Sequence, residues 1–127
     1  MSDPYEFVAR AYAAFNERRL DDALALMDPD VEWPNGMEGG TVHGRAGVRE
    51  YWTRQWALID PHVEPRRTTI AEDGRVHVDV HQVVRDLQGS VLLDQMVEHV
   101  YTLKGGLAER MEIRADVGLK EPPQPAR

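Results

Sequence analysis

The segment from Leu20 to Trp56 constrains the fold most, because its pattern changes from helix to strand to loop and back to helix within a short span. A strand is predicted over Val31 to Trp33, and a loop with four glycines follows from Pro34 to Gly44. Before Pro29, apolar residues recur at helical spacing and predict a short helix that carries Leu20, Ala23, Leu24 and Met27. The segment therefore predicts a mixed fold of helices and strands.

A longer helix is predicted on each side of this short helix and strand. The first helix is capped by Asp3 and runs to about Arg18, because apolar side chains fall on one helical face. The third helix runs from about Arg45 to Ile59, and its apolar stripe consists of Val48, Trp52, Trp56 and Ile59.

The chain changes character from His62 onward, where strand patterns alternate with turn signals. These turn signals are Glu72-Asp73-Gly74, Gln88-Gly89 and Gly105-Gly106, and they predict about four long strands. Helices followed by antiparallel strands are typical of an α+β domain. We therefore expect three N-terminal helices to cover one face of a curved, mostly antiparallel sheet.

Length and charge narrow the class of protein. With 127 residues we expect one domain over residues 1–119 and a flexible, proline-rich tail over residues 120–127. The net charge of -7 and the lack of a basic stripe argue against nucleic acid and membranes as partners. The chain has no cysteine, no secretory signal pattern and no long apolar run, so we expect a cytoplasmic protein.

A turn at Gln88 and Gly89 predicts which strand residues face the interior. Counting outward from a two-residue turn places Leu87 opposite Ser90, and then the pairs Val84–Leu93, Gln82–Gln95, Val80–Val97 and Val78–His99. This face is mostly apolar and is therefore predicted to line the interior. Its polar exceptions are Gln82, Gln95, His99 and Tyr101.

His99 is the candidate catalytic residue. A buried imidazole, whose ordinary pKa is about 6.5, can act as a general acid or base near neutral pH. The alternative is a core histidine that is hydrogen-bonded to Gln82, Gln95 or Tyr101.

Aromatic residues from the helical half are expected to face the same interior and to form a surface suited to a flat, apolar ligand. Each of them has a purely structural alternative as a core residue. The candidate ligand-binding residues are Tyr12, Trp33, Trp52, Trp56, Gln82, Gln95, Tyr101 and Met111.

His77, Asp79 and His81 alternate along one strand and project to one side, which is a possible metal-binding pattern. They fall on the predicted outer face, where water or a dimer contact explains them equally well. We therefore expect no metal site. The loop residues Asn35, Glu38 and His43 are expected near a pocket mouth, although Asn35-Gly36 is also an ordinary turn signal.

Three segments together resemble one known family: LDDALALMDPDVEWPNG, the loop ending in HGRAGVREYW, and the late strand pair VEHVYTLKGGLAERMEIR. They are similar to the SnoaL-like branch of the nuclear transport factor 2 superfamily, over nearly the whole chain up to about Val117. The resemblance implies a cone-shaped α+β barrel with a deep pocket. It also implies a homodimer formed through the outer sheet face.

The resemblance implies several activities, among them ketosteroid isomerase, polyketide cyclase, dehydratase and epoxide hydrolase. By this alignment the general base of the isomerases falls on Trp33, the oxyanion-hole tyrosine near Ala11 with Tyr12 adjacent, and the protonated aspartate on His99. A tryptophan cannot abstract a proton, so standard ketosteroid isomerisation is disfavoured. The predicted interior also lacks the aspartate and arginine residues that the epoxide hydrolases use.

The expected function is therefore binding of a small apolar or cyclic organic molecule in the barrel. If the protein is an enzyme, we expect cofactor-free acid/base catalysis of isomerase, cyclase or dehydratase type, with His99 moving the proton. The alternative is a non-catalytic ligand-binding protein or a dimeric interaction module.

Overall fold

The structure, a computed structural model, describes residues 3–36 and 38–115 of the chain. This part contains three helices: α1 (Pro4–Asn16), α2 (Leu20–Leu24) and α3 (Gly44–Trp56). It also contains six strands: β1 (Met27–Pro34), β2 (Thr41–His43), β3 (Asp60–Ile70), β4 (Val76–Arg85), β5 (Val91–Lys104) and β6 (Leu107–Ala115). None of the described helices is long and apolar enough to cross a membrane. The tail predicted over residues 120–127 lies outside the described residues.

The strands form one curved, unclosed sheet in the order β2-β1-β6-β5-β4-β3. Strands β1 and β6 are parallel, and the other described neighbours are antiparallel. Side chains of the helices and of one sheet face share a single core, in which Tyr12 and Trp52 join Val78 and Val80. The predicted α+β architecture is therefore confirmed.

Helix α1 is fixed at both ends, and this positions Tyr12 over the sheet. At its start the Asp3 carboxylate accepts a hydrogen bond from the backbone N–H of Tyr5, which caps the helix. At its end the Asn16 side chain donates to the Val63 carbonyl at 2.7 Å and accepts from the Val63 N–H at 3.0 Å. This paired contact joins α1 to strand β3.

The second helix and the first strand differ from the prediction. Helix α2 ends at Leu24, and Met27 is the first residue of β1, so the strand is longer than Val31 to Trp33. Pro29 lies inside β1, where the pairing with β6 is irregular between Met27 and Glu32. A proline is tolerated at such a point because no regular ladder hydrogen bond is lost there. The predicted loop also contains β2, which pairs with Glu32, Trp33 and Pro34.

The predicted register of β4 and β5 is confirmed, although the turn that joins them is larger. Each of the pairs Val84–Leu93, Gln82–Gln95, Val80–Val97 and Val78–His99 is present. Arg85 pairs with Val91, however, and the Asp86 N–H donates to the Ser90 carbonyl, so the expected Leu87–Ser90 pair is replaced by a wider turn. An irregularity between Val84 and Arg85 offsets the longer turn and restores the register.

Candidate functional site

A cavity of about 240 Å³ lies between the concave sheet face and the helices. The described residues that line it include no aspartate, glutamate, lysine or arginine. Such an uncharged cavity suits a neutral, largely apolar ligand. Of the predicted ligand-binding residues, those that line the cavity are Tyr12, Trp33, Trp52, Gln82, Tyr101 and Met111, and His99 lines it too.

A buried hydrogen-bonded chain joins His99 to two tyrosines. The hydroxyls of Tyr101 and Tyr12 are 2.8 Å apart, and the Tyr12 hydroxyl lies 2.6 Å from Nδ1 of His99. The three side chains are between 3% and 6% exposed. His99 and Tyr101 are two residues apart on β5 and therefore face the same side, where α1 brings Tyr12 against them.

The chain of hydrogen bonds has a preferred direction. If Tyr101 donates to Tyr12 and Tyr12 donates to Nδ1 of His99, each phenolic proton has an acceptor. The reverse direction would leave the buried proton of Tyr101 without an acceptor among the described residues, which is unfavourable. We therefore assign the ring proton of His99 to Nε2.

The Nε2 atom of His99 opens onto the cavity. It has no hydrogen-bond partner within residues 3–36 and 38–115. Two side-chain atoms in this part of the chain are fully buried without a partner, Gln55 Oε1 and Trp56 Nε1, and Nε2 of His99 is not one of them, so it is accessible. The imidazole therefore offers one N–H donor to whatever occupies the cavity.

Burial keeps all three members of the chain neutral at physiological pH. It lowers the pKa of His99 to about 4, because the charged imidazolium would lose its water. Burial also raises the pKa of Tyr101. The pKa of Tyr12 is raised by burial and, to a smaller extent, by repulsion between the two phenolates. His99 is therefore a neutral hydrogen-bond donor and a poor general base.

Trp52 is the centre of the aromatic wall. Its ring lies 5.0 Å from Phe15, 5.5 Å from Trp33 and 5.7 Å from Trp56, measured between centroids. Trp56 is not among the residues that line the cavity, and its ring lies 4.9 Å from the guanidinium carbon of Arg18.

The two predicted glutamines form a pair, with only one of them at the cavity. The Gln95 side-chain amide donates from Nε2 to Oε1 of Gln82 at 3.0 Å. Gln82 lines the cavity, whereas Gln95 is not among the lining residues. Gln82 is therefore the member of the pair that is placed to contact a ligand.

The histidines of the outer face pair with carboxylates. Nδ1 of His77 lies 3.1 Å from a Glu98 carboxylate oxygen, and Nε2 of His81 lies 2.7 Å from one of Asp94. Within the part of the chain that the structure describes, no group of three or more His, Cys, Asp or Glu residues is placed to hold a metal ion.

Sequence reasoning missed Tyr51, which lines the cavity and holds the adjacent loop. Its hydroxyl accepts hydrogen bonds from the Gly36 N–H at 3.0 Å and from Nε2 of Gln55 at 3.3 Å. The available signal was its position three residues after Val48, on the buried side of α3. In the same loop, the Glu38 N–H donates to the Asn35 side chain at 2.8 Å, which forms the expected turn.

The isomerase alignment placed the oxyanion-hole tyrosine near Ala11, with Tyr12 adjacent, and the Tyr12 hydroxyl is the one that lies beside His99. Trp33 lines the cavity.

Comparison with known proteins gives one family and several similar structures. The model of the SnoaL-like domain matches residues 8–111. TerC, crystallised with polyporic acid, is 32% identical over 90% of this chain and 92% of its own, with a TM-score of 0.76. An NTF2-like protein of unknown function from Burkholderia pseudomallei is 28% identical over 93% of this chain and 94% of its own, with a TM-score of 0.78.

A Mycobacterium tuberculosis protein in complex with estradiol-17β-hemisuccinate shares the fold at 15% identity, with a TM-score of 0.78. The alignment covers 94% of this chain and 98% of that one. No curated protein matches the chain.

Proposed function

The chain belongs to the SnoaL-like domain family, and on that basis we propose that its cavity binds a small, neutral, aromatic or cyclic molecule that carries a carbonyl or hydroxyl oxygen. The observation that carries the proposal is the N–H of His99, a buried donor at the wall of an uncharged cavity. The ligand complexes of TerC and of the M. tuberculosis protein support a role in binding ring compounds.

We further propose how His99 acts if the bound molecule reacts. Its Nε2–H donates a hydrogen bond to a ligand oxygen on which negative charge develops in the reaction. Tyr12 and Tyr101 hold the ring in that tautomer and orientation. Reactions of isomerase, cyclase or dehydratase type by this route need no cofactor.

A second function, binding without turnover, is favoured by a different observation. No carboxylate is among the described residues that line the cavity, so a strong general base is missing from them. Conversion of a bound compound by the wild-type protein would exclude binding without turnover, and the His99→Gln variant assayed on that compound then tests the role of His99. Unchanged turnover would exclude the role proposed for His99.

The most informative experiment is mass spectrometry of small molecules released from the purified protein. We expect a neutral ring compound with at least one carbonyl or hydroxyl group. Recovery of only charged, non-cyclic metabolites in stoichiometric amount would overturn the proposal.

Filling the cavity should block binding without disturbing the fold. Ala11 lines the cavity from α1, so Ala11→Leu extends a side chain into the ligand space. We expect its affinity for 2-naphthol, measured by calorimetry, to fall about tenfold or more, a loss of about 1.4 kcal/mol of binding free energy, because the larger side chain occupies space that the ligand needs. The matched control is Ala9→Leu at an exposed position on the same helix, which should bind like the wild type. Equal affinities of the two variants would show that 2-naphthol binds elsewhere.

The same proposal includes a homodimer through the outer sheet face and a cytoplasmic location. The outer face carries the carboxylate pairs of His77 and His81 together with Leu92, which is 58% exposed. Covering an exposed leucine of this kind would favour association.

A further inference from the structure

We propose that the cavity recognises its ligand at two points, through His99 and Gln82, and that the preferred ligand is an elongated molecule of two or three rings with an oxygen atom at each end. The inference rests on the proposed function, because it specifies the ligand of the same cavity.

Gln82 supplies the second hydrogen-bond donor. Its Oε1 is occupied by the amide of Gln95 at 3.0 Å, which leaves the Nε2 group of Gln82 without a partner among the described residues. This nitrogen is also not one of the enclosed unpartnered atoms, so it is accessible, and Gln82 is one of the residues that line the cavity. A donor left in this position is satisfied by a ligand oxygen or by water.

The strand register sets the distance between the two donors. Gln82 lies four residues along β4 from Val78, and Val78 is paired with His99. At about 3.3 Å per residue this separation is about 13 Å along the sheet. Side chains on one face stand roughly perpendicular to the sheet, so their donor atoms are spaced similarly. With a hydrogen bond of about 2.9 Å at each end, the two ligand oxygens lie roughly 7 Å apart.

The other polar side chains on the helical side of the cavity are already engaged or enclosed. The Tyr51 hydroxyl accepts from Gly36 and Gln55, and Oε1 of Gln55 is buried out of reach of solvent. The aromatic rings of Tyr12, Trp33 and Trp52 are also among the groups that line the cavity. A flat molecule with oxygens at both ends therefore fits the donors better than one with both oxygens at the same end.

Three probes that differ only in their hydroxyl groups test this inference: 2-naphthol, naphthalene-2,6-diol with hydroxyls at opposite ends, and naphthalene-2,3-diol with both at one end. We expect calorimetry on the full chain to give the opposite-end diol a Kd about three- to tenfold lower than those of the other two, the gain of one additional hydrogen bond.

Two variants remove the second donor while keeping the length or volume of the side chain, Gln82→Met and Gln82→Leu. In either variant that retains the wild-type circular dichroism spectrum, the opposite-end diol should lose its advantage, so that it and 2-naphthol bind that variant with equal Kd values. The matched control is Gln88→Met in the exposed turn after β4, which should keep the advantage.

The possible failures are distinguishable. If 2-naphthol binds but the opposite-end diol gains nothing, or if Gln82→Met weakens all three probes equally, the two-point inference is wrong and the proposed function stands. If none of the three probes binds the wild-type protein, the proposed function fails together with the inference.

Discussion

The Trp52→Ala variant is expected to lose about 3–5 kcal/mol of its free energy of unfolding, the range typical of a buried tryptophan replaced by alanine. Trp52 is 4% exposed and packs against Phe15, Trp33 and Trp56. Its removal deletes contacts to α1, β1 and the end of α3 at once. A loss of this size is a large part of the total stability of a typical domain.

Urea unfolding followed by far-ultraviolet circular dichroism measures this loss. The control is Leu58→Ala just beyond α3, where the side chain is 57% exposed and the change should stay within about 0.5 kcal/mol. If the two variants were equally stable, Trp52 would not join the helices to the sheet as described.

The stability of the protein is expected to fall at mildly acidic pH because of His99. Its pKa is about 4 in the folded protein and about 6.5 when unfolded. Below the unfolded value the unfolded chain takes up a proton that the folded chain refuses. The stabilisation is therefore complete above about pH 6.5 and is lost as the pH falls toward 4, by about 2 kcal/mol at pH 5 and about 3 kcal/mol at pH 4.

The measurement compares urea unfolding of the wild-type protein and the His99→Gln variant at several pH values. All groups other than the one at position 99 are common to both proteins, so their effects on stability largely cancel in this comparison. We expect the wild type to lose more stability than the variant between pH 7 and pH 5, by about 2 kcal/mol. Parallel curves for the two proteins would mean that burial does not perturb His99.

The sheet could be predicted well from the sequence because alternation along a strand has a fixed period. The pairing of Val78 with His99 follows from counting residues out of the turn at Gln88 and Gly89, even though that turn is wider than assumed. The count remained correct because the irregularity next to Val84 offset the longer turn. Interior positions of His99 and Tyr101 follow from the same count.

The contacts across the cavity could not be predicted in this way. Tyr12 and His99 are 87 residues apart, and their hydrogen bond depends on how α1 is docked against the sheet by Asn16. Helical spacing alone placed Trp56 at the cavity, whereas Arg18 covers its ring. Met27 fits a helical stripe and an interior strand position equally well, so periodicity could not assign it.

The tautomer of His99 decides whether the cavity contains a fixed N–H donor, and it is observable by long-range proton–nitrogen correlation spectra of the uniformly nitrogen-labelled protein. The His99→Gln variant assigns the His99 signals by their absence. We expect a neutral ring with its proton on Nε2 and an unprotonated Nδ1, unchanged from pH 7.5 to about pH 5. A proton on Nδ1, or a titration midpoint near the ordinary value of about 6.5, would rule out the buried donor on which the proposed function rests.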